Sequence, residues 1–140
     1  MFERNEGATE IRMHAGDTGA VKIHATRQTG EEWTENDRML FTIKRNDGVI
    51  VLQRFYRLDD DEGLGNGVVE IQFHNNDTDE WEPGVYDMER RYDVNPRWSG
   101  TAPEGRCVNA LTAGVRMIEG DIVRTVVQGT LTINAVHGDI

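Results

Sequence analysis

One cysteine, Cys107, stands among 140 residues. No internal disulfide can form, which fits a reducing cytosol or a particle assembled there. Long apolar runs are missing too: hydrophobic residues are 37% of the chain, in short clusters far below the ~20 residues of a membrane helix. The opening MFERNEGATE is polar and acidic. It lacks the basic start and apolar stretch of a secretory signal, so the expected location is the cytoplasm. Positive charge is scarce: 15 Lys and Arg against 25 Asp and Glu leave a formal net charge of −10. Such a surface repels phosphate backbones and anionic lipid, so neither nucleic acid nor membrane is an expected partner. Segments with helical periodicity are absent, as are phosphate-cradling loops and serine elbows. No catalytic, cofactor-binding or metal-binding residues are expected, and the chain is read as a non-enzyme.

What the chain does contain is alternation. From Tyr86 to Val94 the residues Tyr86, Met88, Arg90, Tyr92 and Val94 fall on one face, and Asp87, Glu89, Arg91 and Asp93 on the other. Period two with one charged face is the pattern of a half-buried strand. The theme recurs at Ile11/Met13, Val21/Ile23/Ala25, Met39/Phe41/Ile43 and Val69/Ile71/Phe73. Asn46-Asp47-Gly48 between two apolar runs predicts a hairpin. Val49-Ile50-Val51-Leu52 is apolar on both faces and reads as a central strand. Asn75 to Glu82 suits one helical turn. Asn95 to Arg106, with Pro96 and Pro103, reads as irregular, and Cys107 to Leu111 as a brief pairing. Val115–Ile118 and Asp121–Asn134 read as two strands joined by a hairpin at Glu119-Gly120, the second bending at Gly129. Eight or nine strands with turns every ten to fifteen residues predict an all-β fold, an antiparallel two-sheet β-sandwich. Residues 1–8 read as a flexible N-terminal arm and residues 9–140 as one domain.

Several constellations invite a chemical reading. Asn75-x-Asp77-x-Asp79 opens like a calcium loop, but Glu80 stands where glycine is needed and Tyr86 where glutamate is needed. A capped turn is the expectation there. Asp59-Asp60-Asp61-Glu62 reads as a solvated acidic loop. Cys107 as a nucleophile would need a histidine beside it, and His14, His24, His74 and His137 form no motif with it. Trp33, Trp81 and Trp98 all lie in or beside loops. They are the candidate interaction residues, as anchors for a protein partner or as a stacking platform for sugars.

Three stretches together resemble one family. They are Ile11 to Thr18, a strand closed by Gly-Asp-Thr; Asp77-Thr78 through Pro83-Gly84-Val85-Tyr86; and Glu119 to Val123 through Gly129 to Ile133. In order and spacing they are similar to the small Ig-like β-sandwich domains of bacteriophage baseplate upper proteins and tail-fibre N-termini. That resemblance implies a phage or prophage structural protein without a catalytic site or cofactor. Its implied partners are other tail and baseplate proteins, with a homo-oligomer among the expected assemblies. Its implied location is the bacterial cytoplasm during assembly and then the virion. The alternative function is a carbohydrate-binding module using the loop tryptophans.

Overall fold

The structure, a computed structural model, describes residues 1–135. In chain order it contains β1 (Phe2–Arg4), β2 (Glu10–His14), β3 (Gly19–His24), β4 (Arg38–Lys44), β5 (Ile50–Arg57) and β6 (Val68–Phe73). There follow the single-turn helix α1 (Asn75–Thr78), β7 (Gly84–Ser99), β8 (Cys107–Asn109), a second turn α2 (Ala110–Ala113) and β9 (Arg116–Asn134). The fold is all-β. Seven strands form one sheet in the order β1-β2-β9-β7-β4-β5-β8, and β3 and β6 form a separate antiparallel ladder.

Alternation places the core. Met39, Phe41 and Ile43 of β4 are wholly buried, as are Val21, Ile71 and Phe73 on the inner side of the ladder. Phe41 meets Phe73 edge-on at 6.3 Å, so the small ladder lies over the face of the large sheet. Ile11, Met13, Leu131, Ile133, Tyr86 and Met88 extend the same core. The hairpin at Asp47-Gly48 forms, with Gly48 at φ +88°. Helix α1 starts where the acidic run predicted it: the Asp77 carboxylate accepts the His74 N–H at 2.7 Å. The same carboxylate is also paired with Arg54 at 2.8 Å.

Six expectations are corrected. The large sheet is mixed, because β2 runs parallel to β9, with Ile11 opposite Leu131 and Met13 opposite Ile133. The turn after His14 sends the chain into the ladder instead of back along β2, so β2 takes its neighbour from the far end of the chain. The N-terminal segment is no loose arm: Phe2–Arg4 pair with β2, and the Phe2 ring packs 5.9 Å from Phe73. Val49 and Ile50 are exposed, because β8 covers only Arg54–Tyr56 and the first half of β5 is an edge. Glu119-Gly120 makes no hairpin. β9 runs unbroken from Arg116 to Asn134 and pairs with β7 from Gly84 to Ser99. Nine strands therefore result from a different partition of the chain: one is gained at the N-terminus and two are fused near the C-terminus. Pro96, which suggested an irregular segment, is absorbed where the β7–β9 register shifts, a place where its missing N–H costs no ladder bond. A second shift, at Tyr92/Asp93, makes both of those neighbours buried. Asp93, expected on the solvent face, instead pairs inside with Arg91 at 3.0 Å.

Candidate functional site

The three tryptophans are spread along β7 and do not converge. Trp81 stacks on Tyr86 at 5.1 Å, Trp33 stacks on Tyr92 at 6.4 Å, and Trp98 meets Phe55 edge-on at 4.6 Å. Tyr86, Tyr92 and Trp98 follow one another at intervals of six residues along one strand, so successive positions are roughly 20 Å apart at ~3.3 Å per residue. Trp33 is 4% exposed. Its Nε1–H donates to the Ala25 carbonyl at 2.9 Å, and Asn66 bonds both its backbone N–H and its carbonyl at 2.8 Å. Trp81 and Trp98 are half-buried. Each ring is therefore engaged within the chain, and no adjacent pair forms a platform for successive sugar rings.

The acidic loop is exposed at Asp60, Asp61 and Glu62, as expected, and part of its charge is also neutralised from within. Arg57 pairs with Asp59 at 2.7 Å and Asp61 at 2.9 Å. Arg106 pairs with Asp61 and donates to the carbonyls of Asp59 and Val68 at 2.6 Å. The long segment before β8 thus clamps the loop through its last residue. Among the described residues no group of three His, Cys, Asp or Glu side chains is gathered to hold a metal ion.

Cys107 begins β8 beside Tyr56. The residue as a whole is exposed. Burial there pushes the thiol pKa up, against the Tyr56 hydrogen bond and the Arg54 charge. That direction favours the protonated thiol, the opposite of an activated nucleophile. His74 lines the same cleft of about 660 Å³ but is no source of that shift. His14 and His24 lie elsewhere, on β2 and β3, and His137 lies outside the described residues.

The outstanding surface feature is the β7–β9 ribbon. β4 pairs with β7 only over Asp87–Asp93, and β2 pairs with β9 only over Thr130–Asn134. From Arg116 to Gln128, β9 has β7 along one side and no described strand along the other. Ile118, Ile122, Val123 and Val126 on this stretch are all exposed, between 37% and 47%. An unpaired strand edge with apolar side chains is a template for another chain. The sequence held a signal for it, since Ile122-Val123 and Val126-Val127 are apolar on both faces. Such pairs read as buried core unless the strand is known to overhang the sheet. No protein-family profile, curated protein or solved structure matches the chain.

Proposed function

We propose that the protein is a non-enzymatic docking component of a phage or prophage tail or baseplate, working by contact with neighbouring tail proteins or with further copies of itself. The observation that carries the docking reading is the free β9 edge from Arg116 to Gln128 with its four exposed apolar side chains. Main-chain hydrogen bonds along such an edge supply affinity, and alternate side chains supply specificity. A net charge of −10 resists indiscriminate aggregation and leaves the ordered contact favoured. The tail setting rests on the resemblance of Ile11–Thr18, Asp77–Tyr86 and Glu119–Ile133 to baseplate Ig-like domains. The finer reading of the fold, an Ig-like sandwich, takes the seven-stranded sheet as one layer and the β3–β6 ladder as the other. The parallel β2–β9 pair is its departure from a purely antiparallel form. Symmetric virion assemblies use one patch repeatedly, which suits a single free edge.

The test is light scattering over a concentration series, followed by pull-down of the tagged chain against the tail and baseplate proteins encoded beside it. The expected result is concentration-dependent association or retention of a tail protein, lost in Ile122→Lys and Val126→Lys variants that keep the wild-type melting temperature. A strict monomer that retains no tail protein overturns the proposal. Retention of a soluble glycan by that monomer would install the carbohydrate-binding alternative in its place.

A further inference from the structure

Arg90 breaks the apolar row of β7. Tyr86, Met88 and Tyr92, on the same face, are core residues, and Arg90 itself is only 7% exposed. The other deeply buried arginines are well supplied. Arg54 pairs with Asp77 at 2.8 Å and donates to the Gln72 carbonyl at 2.5 Å. Arg38 donates to the carbonyls of Glu35, Asp37 and Pro103. Arg90 reaches only the carbonyls of Ala8 and Gly7, both at 3.5 Å, the outer limit of a hydrogen bond. Its Nε has no partner, and no described carboxylate lies within 4.0 Å of it. A guanidinium held in the interior without an anion is costly.

This group lines a cleft of about 400 Å³ between the β3 end of the ladder and the β7–β9 ribbon. Trp33, Tyr92, Ile23 and Val127 supply its aromatic and apolar walls, and Lys22 and His24, both exposed, also line it. Glu6 is its one carboxylate. In a chain of net charge −10, a cleft lined by Arg90 and Lys22 against the single carboxylate of Glu6 reverses the local sign. The Tyr92 hydroxyl is two residues from Arg90 on the same face and bonds to no described residue. Burial pushes its pKa up, so at neutral pH it keeps a proton to donate.

We infer that this cleft binds a small organic carboxylate with an apolar or aromatic body. Arg90 offers its planar fork to the carboxylate oxygens, Tyr92 adds an O–H donor, and the Trp33–Tyr92 wall takes the body of the ligand. A monoanion is preferred to phosphate, because Glu6 and the overall charge oppose a second negative charge and one fork cannot satisfy it. The volume suits a single small molecule and not a peptide segment. This site is separate from the β9 edge, and its failure leaves the docking reading intact.

The test uses the full chain with sodium benzoate as probe, benzamide as its neutral isostere and inorganic phosphate as the competing anion. Tryptophan fluorescence, in which Trp33 is the ring lining the cleft, and calorimetry are the readouts. Benzoate should bind saturably, with benzamide and phosphate each at least ~10-fold weaker, a difference of ~1.4 kcal/mol. Arg90→Met should lose benzoate binding at least ~10-fold, and Tyr92→Phe should weaken it several-fold. Without ligand, Arg90→Met should be as stable as wild type or more so, because an isosteric apolar side chain replaces an uncompensated buried charge. Equal binding of benzoate and benzamide overturns the inference. So does the absence of benzoate binding at ~10 mM, or a marked loss of stability in Arg90→Met, which would make Arg90 a structural residue.

Discussion

Two glycines of nearly equal positive φ allow steric clash to be measured apart from backbone strain. Gly48 (φ +88°) sits in the exposed β4–β5 hairpin, and a Cβ there would meet nothing within 4 Å. Gly67 (φ +82°) precedes β6, and a Cβ there would lie 2.0 Å from the Ala25 carbonyl oxygen and 3.1 Å from the Trp33 ring. Alanine at either site bears the left-handed penalty of ~1–2 kcal/mol, reduced by ~0.4–1 kcal/mol because the unfolded chain is also stiffened. Gly48→Ala should therefore cost about 1 kcal/mol. At Gly67 the backbone has to move, and two hydrogen bonds depend on its place: Gly67 N–H to the Leu58 carbonyl at 2.7 Å, and Ala25 N–H to the Gly67 carbonyl at 2.9 Å. At roughly 1 kcal/mol each, with ~1–3 kcal/mol for overpacking against Trp33 and the same backbone penalty of about 1 kcal/mol, Gly67→Ala should cost ~4–6 kcal/mol. For a domain of this size that is a fall in melting temperature on the order of 10 °C. Urea titration followed by far-UV circular dichroism and by tryptophan fluorescence measures both variants. Losses within about 0.5 kcal/mol of each other, an accuracy such titrations reach for mutant differences, would show that Gly67 is needed only for its φ and that the Ala25–Trp33 contact is looser than described.

Phe41→Ala empties a wholly buried site against Phe73 and should cost ~3–5 kcal/mol; an unchanged urea midpoint would mean that the inner face of β4 is misassigned. All three tyrosines have raised pKa values, in each case chiefly through burial: Tyr56, where Arg54 opposes it, Tyr86 and Tyr92. The folded state thus favours neutral phenols. This contribution is fully present below the unfolded pKa of ~10 and is lost as pH rises beyond it. Alkaline titration should show phenolate absorbance appearing late and together with loss of structure, and reversible ionisation near pH 10 in the intact fold would contradict this. Asp17 behaves in the opposite sense. Burial pushes its pKa up, but the His14 N–H and the terminal ammonium outweigh that and leave it lowered. Its contribution is present above the ordinary Asp pKa and lost as pH falls through the lowered value. Asp17→Asn should flatten the acid limb of the stability curve, and an unaltered limb would refute the assignment. Calcium should leave the melting temperature unchanged, because Asp77 is committed to Arg54 and to the His74 N–H; a saturable rise reversed by chelator would refute that.

The sequence by itself determined the inward faces of the clearly alternating strands. Period two is a local property, so Ile11/Met13, Met39/Phe41/Ile43, Val69/Ile71/Phe73 and Tyr86/Met88/Tyr92 were legible as inward faces before any pairing was known, and so was the Asp47-Gly48 hairpin. The all-β class follows from the same pattern. Pairing partners at long range were not legible. The parallel contact of Ile11 with Leu131 carries no turn signal, because the two residues are joined by nearly the whole chain and no local chemistry links them. Whether Glu119-Gly120 turns or runs straight depends on β7 lying alongside as an extended template. The fates of the polar groups also needed the tertiary structure. Asp59 and Asp61 look like unpaired acids until Arg57 and Arg106 are brought to them, and Trp33 looks exposed until Asn66 and Tyr92 close on it. The candidate sites divide in the same way. Arg90 was visible as a charge in an apolar row, but its want of an anion is a fact about what surrounds it. The free edge of β9 exists only because β7 and β9 are longer than the strands beside them, a comparison of lengths that the linear chain does not contain.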